Sequence, residues 1–182
     1  CGGSSRSAGT GTSGALLSPT ALAAPTGMDQ RVLASSRGCA LVDGVVSCWG
    51  ESFWASFGES RQPLDIVPAS MEMTVPLTRT PTFITCSGSQ CCGLAGDEVT
   101  CWGSPVGGIH GDGPRDGTRA TTPVGLSDVT GMTLDGSSTC AIGDAGLQCW
   151  GEGSYLGFAD RLTRYLPEVL TASGITRVER SA

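Results

Sequence analysis

The sequence predicts an all-β fold in which one small sheet is repeated three times, and three observations predict it. A run ending in Cys-Trp-Gly recurs three times along the chain. Each copy carries two half-cystines nine residues apart. The composition is rich in Gly, with 28 residues, and poor in charge, at 15%. Short strands joined by tight turns have that composition, whereas long solvated helices carry more Glu, Lys and Arg.

The repeat is the strongest signal. Its first copy is Cys39-Ala40-Leu41-Val42-Asp43-Gly44-Val45-Val46-Ser47-Cys48-Trp49-Gly50. The second runs Cys92-Gly93-Leu94-Ala95-Gly96-Asp97-Glu98-Val99-Thr100-Cys101-Trp102-Gly103, and the third Cys140-Ala141-Ile142-Gly143-Asp144-Ala145-Gly146-Leu147-Gln148-Cys149-Trp150-Gly151. Successive Cys-Trp-Gly triplets start 53 and 48 residues apart.

Each copy reads as a β-hairpin, two alternating apolar runs flanking a Gly or Asp turn. With Asp43-Gly44 at the tip, Val42 faces Val45, Leu41 faces Val46, Ala40 faces Ser47 and Cys39 faces Cys48. Pairs alternate between hydrogen-bonded and non-hydrogen-bonded down a hairpin, so the Cys pair falls on a non-hydrogen-bonded site. There Cα atoms approach to about 4.5 Å, within reach of a disulfide. Gly96-Asp97 sets Cys92 against Cys101 in the same way, and the spacing of Cys140 and Cys149 is the same. The third copy is expected to use a longer turn, with Gly146 left-handed.

Upstream of each hairpin lies a strand-like run: 31–34, 82–86 and 129–134. Downstream lies a Gly-rich loop and then a Pro-containing segment: Pro63-Leu64-Asp65-Ile66-Val67-Pro68, Pro123-Val124-Gly125-Leu126 and Pro167-Glu168-Val169-Leu170. Pro suits an edge strand. The sequence therefore predicts three four-stranded, propeller-type blades at about 30–80, 81–127 and 128–175, with a final strand beyond. Even strand spacing with one Gly and aromatic motif per unit is the mark of a propeller. Three blades do not close a ring. The chain is either part of a longer propeller, one share of a ring completed by self-assembly, or an open stack whose edges invite pairing.

Residues 1–29, rich in Gly, Ser, Thr, Ala and Pro, read as a flexible linker. Within it, 15–25 is mildly apolar but short and Pro-broken, so a late-pairing strand is also open. Cys1 followed by small residues resembles the start of a mature bacterial lipoprotein, in which that Cys carries lipid. The other reading is an arbitrary boundary that falls at a Cys. With Cys1 set aside, the remaining eight of the nine cysteines pair evenly.

The pattern Cys-Ala-Leu, then Asp-Gly, then Cys-Trp-Gly, then a loop and Pro-x-x-Val, resembles repeats of the regulator of chromosome condensation family. It is most similar to the Cys-paired form of secreted bacterial proteins, from about residue 30 onward. The resemblance implies four-stranded blades packed radially around a channel. The family's His two residues before the first Cys is replaced here by Arg37, Gln90 and Ser138. Its Gly-Gln-Leu-Gly after Trp-Gly is degraded at 55–58, 107–111 and 155–158. Family members include an exchange factor for a small GTPase and a secreted β-lactamase inhibitor. Their contact residues have no counterpart in this chain.

Cysteine usage and charge bound the function. Metal sites favour close Cys pairs with His nearby, but the dominant spacing here is nine and the only His is His110. No metal or cofactor is therefore expected, and the cysteines read as disulfides of an oxidising compartment, secreted or at the cell envelope. Cys86 aligns with Leu33 and Leu134 of the other copies, and Cys91 with Gly38 and Thr139; the two read as a fourth disulfide, with a redox or metal site built on Cys86, Cys91 and Cys92 as the other reading. A net charge of −6, with eleven scattered basic residues, argues against nucleic acid.

Trp49, Trp102 and Trp150 recur in register and read as packing between blades. Phe53, Trp54 and Phe57 break the repeat and are the candidate binding cluster, with His110 beside Asp112 and Asp116 as a weaker one. No nucleophile motif accompanies His110, so no catalytic residue is predicted. The sequence points to a non-enzymatic protein-binding or scaffold module presenting propeller loops to a protein partner. Self-association through open blade edges and a membrane tether through Cys1 accompany that expectation.

Overall fold

A computed structural model of the chain describes residues 3–4, 15–16, 28–34, 37–51, 66–67, 73–75, 77–88, 90–103, 110–114, 120–156, 158 and 160–171. Among these residues the regular structure is antiparallel strand, with one 3-10 turn at Gly153–Tyr155. A short pair, β1 (Gly3–Ser4) and β2 (Ala15–Leu16), stands apart from three larger sheets.

The first blade joins β3 (Met28–Ala34), β4 (Arg37–Val42) and β5 (Val45–Glu51). Its outer lane is split between β6 (Ile66–Val67) and β7 (Met73–Thr74), both on the far side of β5. The second blade joins β8 (Phe83–Ser87), β9 (Gln90–Ala95) and β10 (Glu98–Gly103). The third runs β11 (Gly131–Asp135), β12 (Ser138–Gly143), β13 (Gly146–Gly151) and β14 (Arg164–Val169) in spatial order.

Turn chemistry sets the central hairpins. Asp43 and Gly44 both have positive φ, 47° and 77°, the pattern of a type I′ turn. Gly96, at φ 68°, leads the second turn as a type II′ turn requires. The third hairpin corrects an expectation. Gly146 is left-handed, with φ 89°, yet Gly143 pairs Gly146 across a two-residue turn, Asp144-Ala145. The positive φ at the strand edge absorbs the irregularity, so no longer loop is needed.

The outer lane corrects a second expectation. In the second blade the segment 123–126 is a turn at Val124-Gly125, and the lane reduces to one bridge between Cys101 and Thr121. Thr121 and Cys101 exchange both backbone hydrogen bonds, at 2.8 and 2.7 Å. Pro123 has no N–H to extend that ladder. Across the three blades the outer lane meets the same strand position: Cys48 opposite Met73, Cys101 opposite Thr121, Cys149 opposite Glu168.

The core lies between blades. One cluster joins Cys39, Leu41, Val46 and Cys48 of the first blade to Ile84, Cys86, Cys91 and Trp102 of the second. Another joins Cys92, Val99 and Cys101 of the second blade to Met132, Leu134 and Trp150 of the third. Cys101 and Trp102 are neighbours on β10, so they point to opposite faces, one toward the next blade and one toward the blade before. Cys149 and Trp150 divide the same way, Cys149 packing with Leu147 and Leu156. Each of these tryptophans thus lies in the cluster that holds the preceding blade's half-cystines, fully buried.

Candidate interaction surface

Four cysteine pairs fasten the hairpins. Cys39–Cys48, Cys92–Cys101 and Cys140–Cys149 cross the central hairpin of each blade, with Cα separations of 4.1, 4.0 and 4.2 Å. Cys86–Cys91 crosses the β8–β9 hairpin, with Cα atoms 4.0 Å apart. All four occupy directly opposed positions in the ladders. Cys91 and Cys92 are adjacent on β9 and face opposite ways, so the second blade presents one disulfide to each neighbour. The Sγ atoms of Cys39, Cys86 and Cys91 all lie within 4.8 Å of one another in the buried core.

His110 occupies a buried position and is 2% exposed. Burial holds its pKa below the ordinary value, and Asp112 only partly offsets that. Nε2 makes no hydrogen bond among the described residues. His110 is thus enclosed by the fold rather than displayed on its surface. The cluster Phe53, Trp54 and Phe57 lies outside the described residues, as do Cys1 and Asp116.

The segment from His110 to Pro114 does position a surface. The carbonyl of Gly111 accepts from Val124 N–H at 2.9 Å, and Gly113 N–H donates to the Tyr165 carbonyl at 3.0 Å. These bonds tie the turn at Val124 to β14, the outermost strand of the third blade. Leu162, Tyr165, Leu166, Val169 and Val124 are all exposed, Leu162 the most at 63%. The ladder with β13 shifts register between Glu168 and Arg164, where four steps along β14 oppose two along β13, so Tyr165 and Leu166 lie in an irregular stretch of the edge strand and both are exposed.

Arg164 holds this strand in place. Its guanidinium donates to both carboxylate oxygens of Asp160, at 2.6 and 3.0 Å, to Glu168 at 3.1 Å and to the Leu162 carbonyl at 2.7 Å. It also lies 4.0 Å from the centre of the Phe158 ring. These hydrogen bonds hold the Asp160 carboxyl below its usual value, Arg164 contributing most and the Leu162 N–H next. The planar fork therefore braces the approach to β14 and its far end together.

Neither the strip nor its brace stood out in the sequence. One signal was present: Tyr165 and Leu166 are adjacent apolar residues on a strand whose next residue is Pro167. An edge strand with neighbouring apolar residues must turn one of them away from the core.

Radially stacked antiparallel blades, with their core between them, define a segment of a β-propeller. The sequence matches no family profile and no curated protein. Among solved structures the fold is that of propellers of the regulator of chromosome condensation type. Human WBSCR16 aligns with a TM-score of 0.66 at 21% identity, over 81% of this chain and 40% of that one. Yeast RCC1 (Prp20), in its complex with Kap60, aligns with a TM-score of 0.62 at 13% identity, over 78% and 36%. Prp20p of Saccharomyces cerevisiae, studied for its binding to Gsp1p and histones, aligns at 0.59 and 18% identity, over 80% and 36%. The chain thus spans about two-fifths of the length of these propellers.

Proposed function

We propose that this chain is a non-enzymatic protein-binding module, part of a propeller that works in an oxidising compartment, exported or at the cell envelope. The observation that carries this reading is the set of exposed apolar side chains Tyr165, Leu166 and Val169 on β14, with Leu162 on its approach, all on a segment braced by Arg164. Several exposed apolar side chains gathered on one rigid edge element are the kind of surface that protein contacts use. Pro167 lies within β14 and cannot donate from its edge, which favours docking through side chains over addition of a strand.

Two further points support it. Yeast Prp20, whose fold is shared, binds the proteins Kap60 and Gsp1p and histones. Four disulfides are what an oxidising compartment permits and a reducing cytosol opposes.

The test is site-specific photo-crosslinking. A benzophenone residue replaces Tyr165 in one preparation and the exposed Glu152 in another, and each is irradiated with envelope extract. The expected result is a discrete protein adduct from position 165 alone. Unlabelled wild-type chain competes for it, and the Leu166→Asp variant does not. Equal labelling from both positions, or an adduct that the Leu166→Asp variant also displaces, overturns the reading. Adducts made only of the chain itself would assign the strip to self-assembly instead.

A further inference from the structure

Two disulfides of adjacent blades touch. Sγ of Cys39, bonded to Cys48 in the first blade, lies 3.7 Å from Sγ of Cys91, bonded to Cys86 in the second. The four residues are between 0 and 2% exposed. The contact follows from the fold. Cys39 faces the second blade from β4, and the alternation along β9 turns Cys91 back toward the first while Cys92 faces the third. No other pair of blades has this arrangement among the described residues. The position of Cys91 is taken by Thr139 in the third blade, opposite Leu134.

We propose that Cys39 and Cys91 form a thiol–disulfide exchange site that can join the first and second blades covalently. A thiolate at either sulfur stands against a disulfide sulfur of the other pair, as exchange requires. The step begins when a dithiol reductant attacks Sγ of Cys86. The Cys86–Cys91 bond breaks and its electron pair leaves on Cys91. The second thiol of the reductant resolves the mixed disulfide, which frees Cys86 as a thiol and leaves the reductant as its cyclic disulfide. Cys91 thiolate then attacks Sγ of Cys39. The Cys39–Cys91 bond forms, the Cys39–Cys48 bond breaks, and its electron pair leaves on Cys48, which takes a proton from water. One dithiol is oxidised, and one of the two protein disulfides is exchanged for two free thiols, Cys48 and Cys86.

The product differs in kind from its precursors. Each native disulfide closes a loop inside one hairpin, at separations of nine and five residues. A Cys39–Cys91 bond spans 52 residues and two blades. The dithiol thus converts two local staples into one clamp across the interface. The site is reached by opening the β8–β9 turn, where Cys86 lies one residue from the hairpin end at Ser87. The chemistry stands independently of the protein-binding reading, since it involves none of the residues of the β14 strip.

Two variants reach the same product from opposite sides without added reductant. Cys86→Ser leaves Cys91 as a thiol beside Cys39–Cys48, and Cys48→Ser leaves Cys39 as a thiol beside Cys86–Cys91. Each is held at pH 8, quenched with acid, alkylated and mapped by non-reducing peptide mass spectrometry. The expected result is a Cys39–Cys91 peptide in both, with alkylated Cys48 in the first and alkylated Cys86 in the second. Intact Cys92–Cys101 and Cys140–Cys149 peptides report that the remaining blades are folded. Wild-type protein titrated with a small dithiol until Cys86 is first alkylated serves if either variant does not fold, and the same cross-linked peptide is expected. Recovery of the native pair with its neighbour as a free thiol, in folded variants or in partly reduced wild type, overturns the proposal.

Discussion

Nε1 of Trp150 stands 2.8 Å from the point where a Cβ on Gly111 would lie, and Pro123 Cβ stands 2.9 Å from the same point. Gly111 also has φ +70°, a conformation that residues with a side chain adopt at a cost. Gly111→Ala therefore carries both backbone strain and a clash with an indole packed between blades. The expected loss is about 2 kcal/mol or more. Gly125→Ala separates the two effects, because Gly125 shares the positive φ, at +83°, but has nothing within 4 Å of its missing Cβ. Urea midpoints of the two variants against wild type make the comparison. Equal losses would mean that the Trp150 contact contributes nothing.

His110 makes stability depend on pH in a stated direction. Burial lowers its pKa in the folded chain, while the unfolded chain titrates near the ordinary value of about 6.5. Between the depressed folded value and that point, the unfolded state binds more protons than the folded state. Stability therefore rises with pH across this window and falls as pH drops below about 6.5. The expected result is a lower urea midpoint at pH 5 than at pH 7.5, with the difference reduced in His110→Gln. A midpoint that falls equally in the variant would place the titrating group elsewhere.

How much of this was legible in the sequence depends on how local the determining physics is. The register of Cys39 with Cys48 followed from Asp43-Gly44, because a two-residue turn fixes every pair down the hairpin. The alignment of Cys86 with Leu33 and Leu134 carried over as well: in the three ladders these residues pair with Cys91, Gly38 and Thr139. The outer lane was less legible. Its strands are held through a few residues of β5, β10 and β13, so Pro123 leads into a turn at Val124-Gly125 while Pro167 stays in a strand. The sulfur contact between Cys39 and Cys91 depends on how two blades pack, and no spacing within one repeat encodes it. Arg164 was one scattered basic residue among eleven until the fold brought Asp160, Glu168 and Phe158 around it.

The four disulfides differ in protection. Cys39, Cys48, Cys86, Cys91, Cys92, Cys101 and Cys149 are buried, whereas Cys140 is half-buried. In the first two blades the central disulfide is covered by the first strand of the next blade. In the third it packs with Leu147, Leu156, Phe158 and Leu170. A small dithiol is therefore expected to reduce Cys140–Cys149 before the other central pairs, since exchange requires access to a sulfur. Timed alkylation and mass mapping read the order directly. Removing this pair in a Cys140→Ser, Cys149→Ser double variant is expected to cost about 2–3 kcal/mol, the loop entropy of a bridge this short. Faster reduction of Cys39–Cys48 than of Cys140–Cys149 would contradict the burial order.

Arg164 braces β14 through a fork that Lys lacks. Arg164→Lys keeps the charge but cannot donate to both Asp160 oxygens, Glu168 and the Leu162 carbonyl from one rigid plane. Amide protection across Tyr165–Val169 is expected to fall, while protection in β8–β10 stays as it is. The Asp160 carboxyl gives a second reading of the same brace. Its folded pKa is held below the unfolded value of about 3.9, so its contribution is present above that pH and is lost as pH falls through the lowered folded value. A carboxyl NMR titration should find Asp160 titrating closer to the ordinary value in Arg164→Lys than in wild type. An unmoved titration with normal amide protection would show that β14 is held by its ladder with β13 alone. The exposed apolar strip would then lose the rigid support that distinguishes a docking surface from a loose edge.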